Sequence, residues 1–61
     1  MATIEIGNNI RRIREIKNYT QEAVAEMVGL SVTAYGDIER GKTDVNFTRL
    51  GQIAEALEVK P

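Results

Sequence analysis

The sequence predicts an all-α fold, a compact bundle of short helices around one core. Three observations predict it. Apolar residues recur at helical spacing in four stretches: Ile6, Ile10 and Ile13; Val24, Ala25 and Val28; Tyr35 and Ile38; Leu50, Ile53 and Leu57. Thr20, Ser31 and Asn46 each stand just before such a stretch, where a side-chain oxygen can accept a backbone N–H of the first turn. Asn18, Gly29 and Gly41 follow the stretches, and these residue types tolerate the left-handed conformation in which many helices end. No stretch reads as a strand, a repeat or a low-complexity linker. With 61 residues the chain makes one domain, residues 1–61.

The elements follow in order. After a ragged start at Met1–Thr3, a first helix is expected over about 4–17. Gly7 weakens it slightly and lets another helix come close. Tyr19 is placed under the start of the next helix. The second helix covers about 21–28, with Ala25 where two helices must approach closely. The third covers about 32–40, with Tyr35 and Ile38 on one side of it. A polar loop, 41–45, leads to Asn46 and a fourth helix over about 47–57. There Phe47, Leu50, Ile53, Ala54 and Leu57 keep the helical period and are expected to close the core. Gly51 is a local weakness in that helix. Gln21, Ala25, Gly29, Tyr35 and Ile38 have the spacing of a helix-turn-helix, whose second helix is offered to a partner.

Composition removes several kinds of function. The chain has no cysteine and no histidine, so it lacks a thiolate, the commonest general base and the commonest metal ligand. The hydroxyls of Thr20 and Ser31 have no base to activate them and are read as caps. An enzyme is therefore not expected, nor is a metal, a cofactor or a small-molecule substrate. No apolar run is long enough to span a membrane and no signal-peptide pattern is present, which points to the cytoplasm. Eight Lys and Arg oppose nine Asp and Glu, for a net charge of −1 and a pI near 5.3. That balance is poor for gripping phosphate. The charges are segregated, however. Arg11, Arg12, Arg14 and Lys17 lie on the first helix, Arg40, Lys42 and Arg49 flank the second half of the motif, and Glu55 and Glu58 sit near the far end.

With the helices placed, the text resembles the Xre/Cro-type helix-turn-helix family of phage and bacterial repressors. The residues that carry the likeness are IRRIRE (Ile10–Glu15), YTQEAVAEMVGLS (Tyr19–Ser31), IERGKT (Ile38–Thr43) and LGQIAEALEV (Leu50–Val59). The resemblance implies a lambda-repressor-like DNA-binding domain of four or five short helices. A fifth helix would begin about where this chain ends, so a piece of a longer protein is expected.

The same resemblance implies a sequence-specific, repressor-like regulator that binds double-stranded DNA as a homodimer, with the third helix in the major groove. Gln21, Arg40, Lys42 and Thr43 fall where the family touches the DNA backbone. Val32, Thr33 and Asp37 fall where it reads bases, with Gly36 on the same exposed face. Arg14 and Glu39 fall where some members pair the first helix with the third. Tyr35 stands where Ile or Val is usual on the inward face. Val32 can meet only a thymine methyl, Thr33 a methyl or one hydrogen-bond partner, and Asp37 only cytosine N4. An Asp37 without that donor would be repelled by DNA. These base-reading types and the acidic pI suit an alternative, a protein-interaction module on the same fold with little or no DNA binding.

Overall fold

Four helices follow one another: α1 (Ala2–Ile16), α2 (Gln21–Met27), α3 (Val32–Glu39) and α4 (Phe47–Ala56). This computed structural model describes the backbone of residues 2–58 and the side chains of residues 4–58. Helix α1 thus starts earlier than the apolar pattern suggests. The fifth helix implied by the family likeness lies outside the described residues.

The starts of α2, α3 and α4 are fixed by local hydrogen bonds. Thr20 Oγ1 accepts from Ala23 N at 3.0 Å, Ser31 Oγ from Ala34 N at 3.0 Å, and Asn46 Oδ1 from Arg49 N at 2.7 Å. Each satisfies a donor that the first helical turn leaves unpaired. All four helices stop in one way, with a residue at positive φ: Asn18 at 63°, Gly29 at 75°, Gly41 at 76° and Glu58 at 60°. After α1, α2 and α3 the backbone closes in a paired arrangement. For α3, Gly41 N donates to Ile38 O at 3.1 Å and Lys42 N to Asp37 O at 2.9 Å. Two terminal carbonyls are satisfied in this way.

Helix α3 packs on both α1 and α2, and α4 closes against α2. Ile10, Val24, Ala25, Val28, Tyr35, Ile38, Ile53 and Leu57 form the buried core. Ile6, Ile13, Tyr19 and Leu50 pack around it. Gly7 permits the approach of α1 to α3, because a Cβ there would run into Ile38 O and come within 2.5 Å of Glu39 O. Gly51 faces open space, with nothing within 4 Å of its would-be Cβ.

Phe47 departs from the expectation. It is 92% exposed and takes no part in the core. Leu50, Ile53 and Leu57 already supply the inward face of α4. Phe47 is the first helical residue, and side chains there lean back toward the N-terminus, past the edge of the bundle.

Candidate nucleic-acid interface

Two layers of polar side chains lie on opposite sides of α3. The inner layer is built around Glu39, which is buried among apolar neighbours near the end of α3. A lone carboxylate there would be costly. Arg14 of α1 meets it with both arms of its guanidinium: Nε donates to Oε2 at 2.7 Å and Nη2 to Oε1 at 3.2 Å. The third Arg14 donor, Nη1, reaches Tyr19 O at 2.8 Å and ties in the turn between α1 and α2. Gln21 Nε2, at the start of α2, donates to Glu39 Oε1 at 3.0 Å. One acidic side chain therefore gathers all three of the first helices.

The wholly buried Tyr35 hydroxyl lies against the same carboxylate without a well-aligned hydrogen bond. The ring packs in the core and carries its hydroxyl to the edge of the polar layer. Burial first, and then the neighbouring carboxylate of Glu39, push the Tyr35 pKa above the ordinary phenol value. Burial alone would raise the pKa of Glu39. The donors of Arg14 first, then the adjacent Tyr35 hydroxyl and the Gln21 amide, outweigh it and hold the carboxyl below its usual range. The hydrogen bonds that Arg14 donates to Glu39 in turn raise the pKa of the guanidinium.

The outer layer is exposed. Val32 is 42% exposed, and Thr33, Arg40, Lys42 and Thr43 are exposed too. Val32, Gly36 and Arg40 follow one another at intervals of four, so they form one row along α3, with Thr33 and Asp37 beside it. Two expectations change here. Gly36 is buried, not open: the Arg40 guanidinium lies over it, with Nη1 and Nη2 each 3.1 Å from where a Cβ would be. Asp37 does not face outward as an unpaired charge, because Arg40 Nη2 donates to its Oδ1 at 2.7 Å. A long arginine folded back along its own helix leaves no trace in apolar periodicity.

The other named residues divide between the two layers. Gln21 stands half-buried at the head of α2, with its amide engaged by Glu39. Lys42 and Thr43 lie past the end of α3, on the exposed loop. Arg49, one of the flanking cations, is turned inward. Its Nη1 donates to Val28 O at 2.6 Å and satisfies the end of α2. This contact joins residues 21 apart, and only the unsatisfied carbonyls at a helix end hint at it in the sequence. The loop after α3 and the foot of α4 also bound a shallow pocket lined by Leu30, Ala34, Asp37, Thr43 and Asn46. Among the described residues no cluster of acidic or other ligating side chains could hold a metal ion, and no helix is long and apolar enough to cross a membrane.

A helix held from behind by two others, with its outer row open, is an arrangement also found in known proteins. The helix-turn-helix family model HTH_3 matches residues 10–61. YazB, an uncharacterised HTH-type transcriptional regulator of Bacillus subtilis, is 38% identical over 53 residues, 87% of this chain and 77% of its own length. The regulator y4aM of Sinorhizobium fredii is 38% identical over 58 residues, but the chain spans only 41% of it. Among solved structures, the restriction-modification controller protein C.AhdI of Aeromonas hydrophila superposes with a TM-score of 0.91 at 30% identity, covering 97% of this chain and 86% of that one.

Proposed function

The chain belongs to the helix-turn-helix family of DNA-binding transcriptional regulators, and from that membership we propose that two copies of it bind one double-stranded site, each with α3 in the major groove. The observation that carries this reading is the two-sided character of α3. Its inner side is locked to α1 and α2 through Glu39, while Val32 and Thr33 stand open on the other. In this reading Val32, Thr33 and Asp37 face base edges. The head of α2 at Gln21 and the loop carrying Lys42 and Thr43 meet the sugar-phosphate backbone. Gly36 has no side chain to offer and serves instead as the seat of Arg40.

One copy offers few cations, so binding by a single domain is weak and sensitive to salt. Two copies would set their α3 helices about 34 Å apart, one turn of the duplex, and favour a site with two-fold symmetry. Such a regulator works in the cytoplasm, where the DNA is.

Selection of bound duplexes from a random pool, repeated at two salt concentrations, tests the reading. Enrichment of an inverted repeat is the expected result, with affinity falling as salt rises. A selected site with no two-fold repeat would remove the dimer. Failure to enrich any duplex at the lower salt would favour a protein-interaction module. The 92% exposed Phe47 and the net charge of −1 are the observations on the side of that second reading.

A further inference from the structure

We propose that Asp37 and Arg40 act as one unit that reads a single G·C base pair, with Gly36 as the seat that holds the unit in place. The proposal rests on the DNA-binding reading above and deepens it.

Three observations carry it. First, the guanidinium of Arg40 does not extend past the end of α3 toward the loop. It lies back over Gly36, in the row that begins at Val32, with Nη1 and Nη2 equally close to the bare glycine. Second, Asp37 fixes it there through the 2.7 Å bond from Nη2 to Oδ1. Third, both side chains remain open to an incoming ligand, at 53% exposure for Arg40 and 28% for Asp37.

The chemistry of the pair is specific. An arginine bound to a carboxylate has lost most of its long-range pull on phosphate, because the neighbouring charge cancels it. Its N–H groups keep their direction. That combination is ill suited to gripping a backbone and well suited to a base edge. In the major groove a G·C pair presents two acceptors, guanine N7 and O6, beside one donor, the cytosine N4 amino group. Arg40 offers donors and no acceptor, and Asp37 offers acceptors and no donor. Side by side they match that row, with Arg40 turned to guanine and Asp37 to cytosine. The carboxylate that would be repelled by DNA when alone is here carried in by a cation and given a donor to meet.

The experiment compares base preferences and affinities of the wild-type chain with those of Arg40→Ala, Asp37→Ala and Gly36→Ala. Each is measured by duplex selection and by titration of the selected site and of random duplex. Arg40→Ala and Asp37→Ala are expected to lose preference at the same base pair, by about ten-fold each. The double substitution is expected to lose scarcely more than either alone, since each breaks the same unit. Gly36→Ala keeps both charges but makes the guanidinium, 3.1 Å from the added methyl, shift slightly, so it is expected to weaken preference at that position by less than either charge removal. Helix content and melting temperature confirm that each variant is folded. For Asp37→Ala, affinity for random duplex is expected to hold or rise as Arg40 is freed.

Loss of preference at two different base pairs would overturn the proposal. So would an equal tightening of the selected and random duplexes by Asp37→Ala, which would mark the aspartate as a simple repulsive charge. In both cases the wild-type chain still selects a site, so the DNA-binding reading stands. If the wild-type chain selects no duplex at all, both readings fall together.

Discussion

Arg14–Glu39 and Arg40–Asp37 are two arginine–carboxylate pairs with the same 2.7 Å separation, set on opposite sides of one eight-residue helix. Their surroundings differ. The Glu39 side chain is 1% exposed and its arginine 12%, and the pair joins α3 to α1. Asp37 and Arg40 are 28% and 53% exposed, and both belong to the end of α3. Water screens the second pair and leaves it little to contribute to stability. The first has no water to fall back on, so losing either partner strands a charge in the core. Distance alone would rank the two as equal; burial and connectivity separate them.

The sharpest way to break this comparison is Glu39→Ala. It is expected to cost about 3–5 kcal/mol, because Arg14 and Gln21 are left with unmet donors. A 61-residue domain has only about 3–9 kcal/mol in all. Thermal unfolding followed by circular dichroism should therefore show a midpoint lowered by about 12–40 °C. An unchanged midpoint would mean that water already reaches this pair.

Gly7→Ala asks the same question through the backbone. The added methyl meets Ile38 O and Glu39 O, so α1 must back away from α3 and drag Arg14 with it. Overpacking of this kind costs about 1–3 kcal/mol, visible as a lower denaturant midpoint.

pH probes the inner pair without mutation. Glu39 has a folded pKa below its unfolded value, so its contribution is fully present above the unfolded carboxylate range and is lost as pH falls through the folded pKa. Tyr35 has the opposite sign of shift. Its neutral form is favoured on folding, so its contribution is present below the ordinary phenol pKa of 10.0 and is lost as pH rises past it. Melting temperature against pH should fall at both ends. In Tyr35→Phe the alkaline fall should be reduced while the acid fall remains.

Gly51→Ala makes these losses easier to measure. The site is helical and open, so alanine is expected to add about 0.8–1 kcal/mol. A denaturation curve with a raised midpoint and an unchanged slope is the expected record. Glu39→Ala on that background should regain part of its folded population. The smallest effect belongs to the outer pair: Asp37→Ala is expected to shift stability by less than about 0.5 kcal/mol. A loss as large as that of Glu39→Ala would erase the distinction between the two sides of α3.

The helices were legible because their ends are local. Thr20, Ser31 and Asn46 bond to residues three further on, and Asn18, Gly29 and Gly41 take the conformation their types allow. Glu58 ends α4 in that conformation although its residue type does not announce it. The interior was legible where one face repeats, as in Ile10, Val24 and Ile53. It failed at Phe47, where the period continues but the bundle beneath it does not. On the outer side of α3 and the loop after it, the exposure of Val32, Thr33, Lys42 and Thr43 was readable, and the contacts of the long side chains were not. The fold-back of Arg40 over Gly36 and the inward turn of Arg49 depend on what long side chains find within reach. The reach of Gln21 to Glu39 spans two helices, and no local pattern encodes it.

The shared manner in which the helices stop bears on how quickly the chain folds. Where α1, α2 and α3 end, the direction of the next segment is set by bonds between residues three to five apart. The chain can form these before any long loop has closed, so little of the search for the native topology is left to encounters between distant segments. Small helical domains dominated by such contacts fold in microseconds to milliseconds. A regulator that reaches its native shape this fast exposes its apolar stripes only briefly after synthesis.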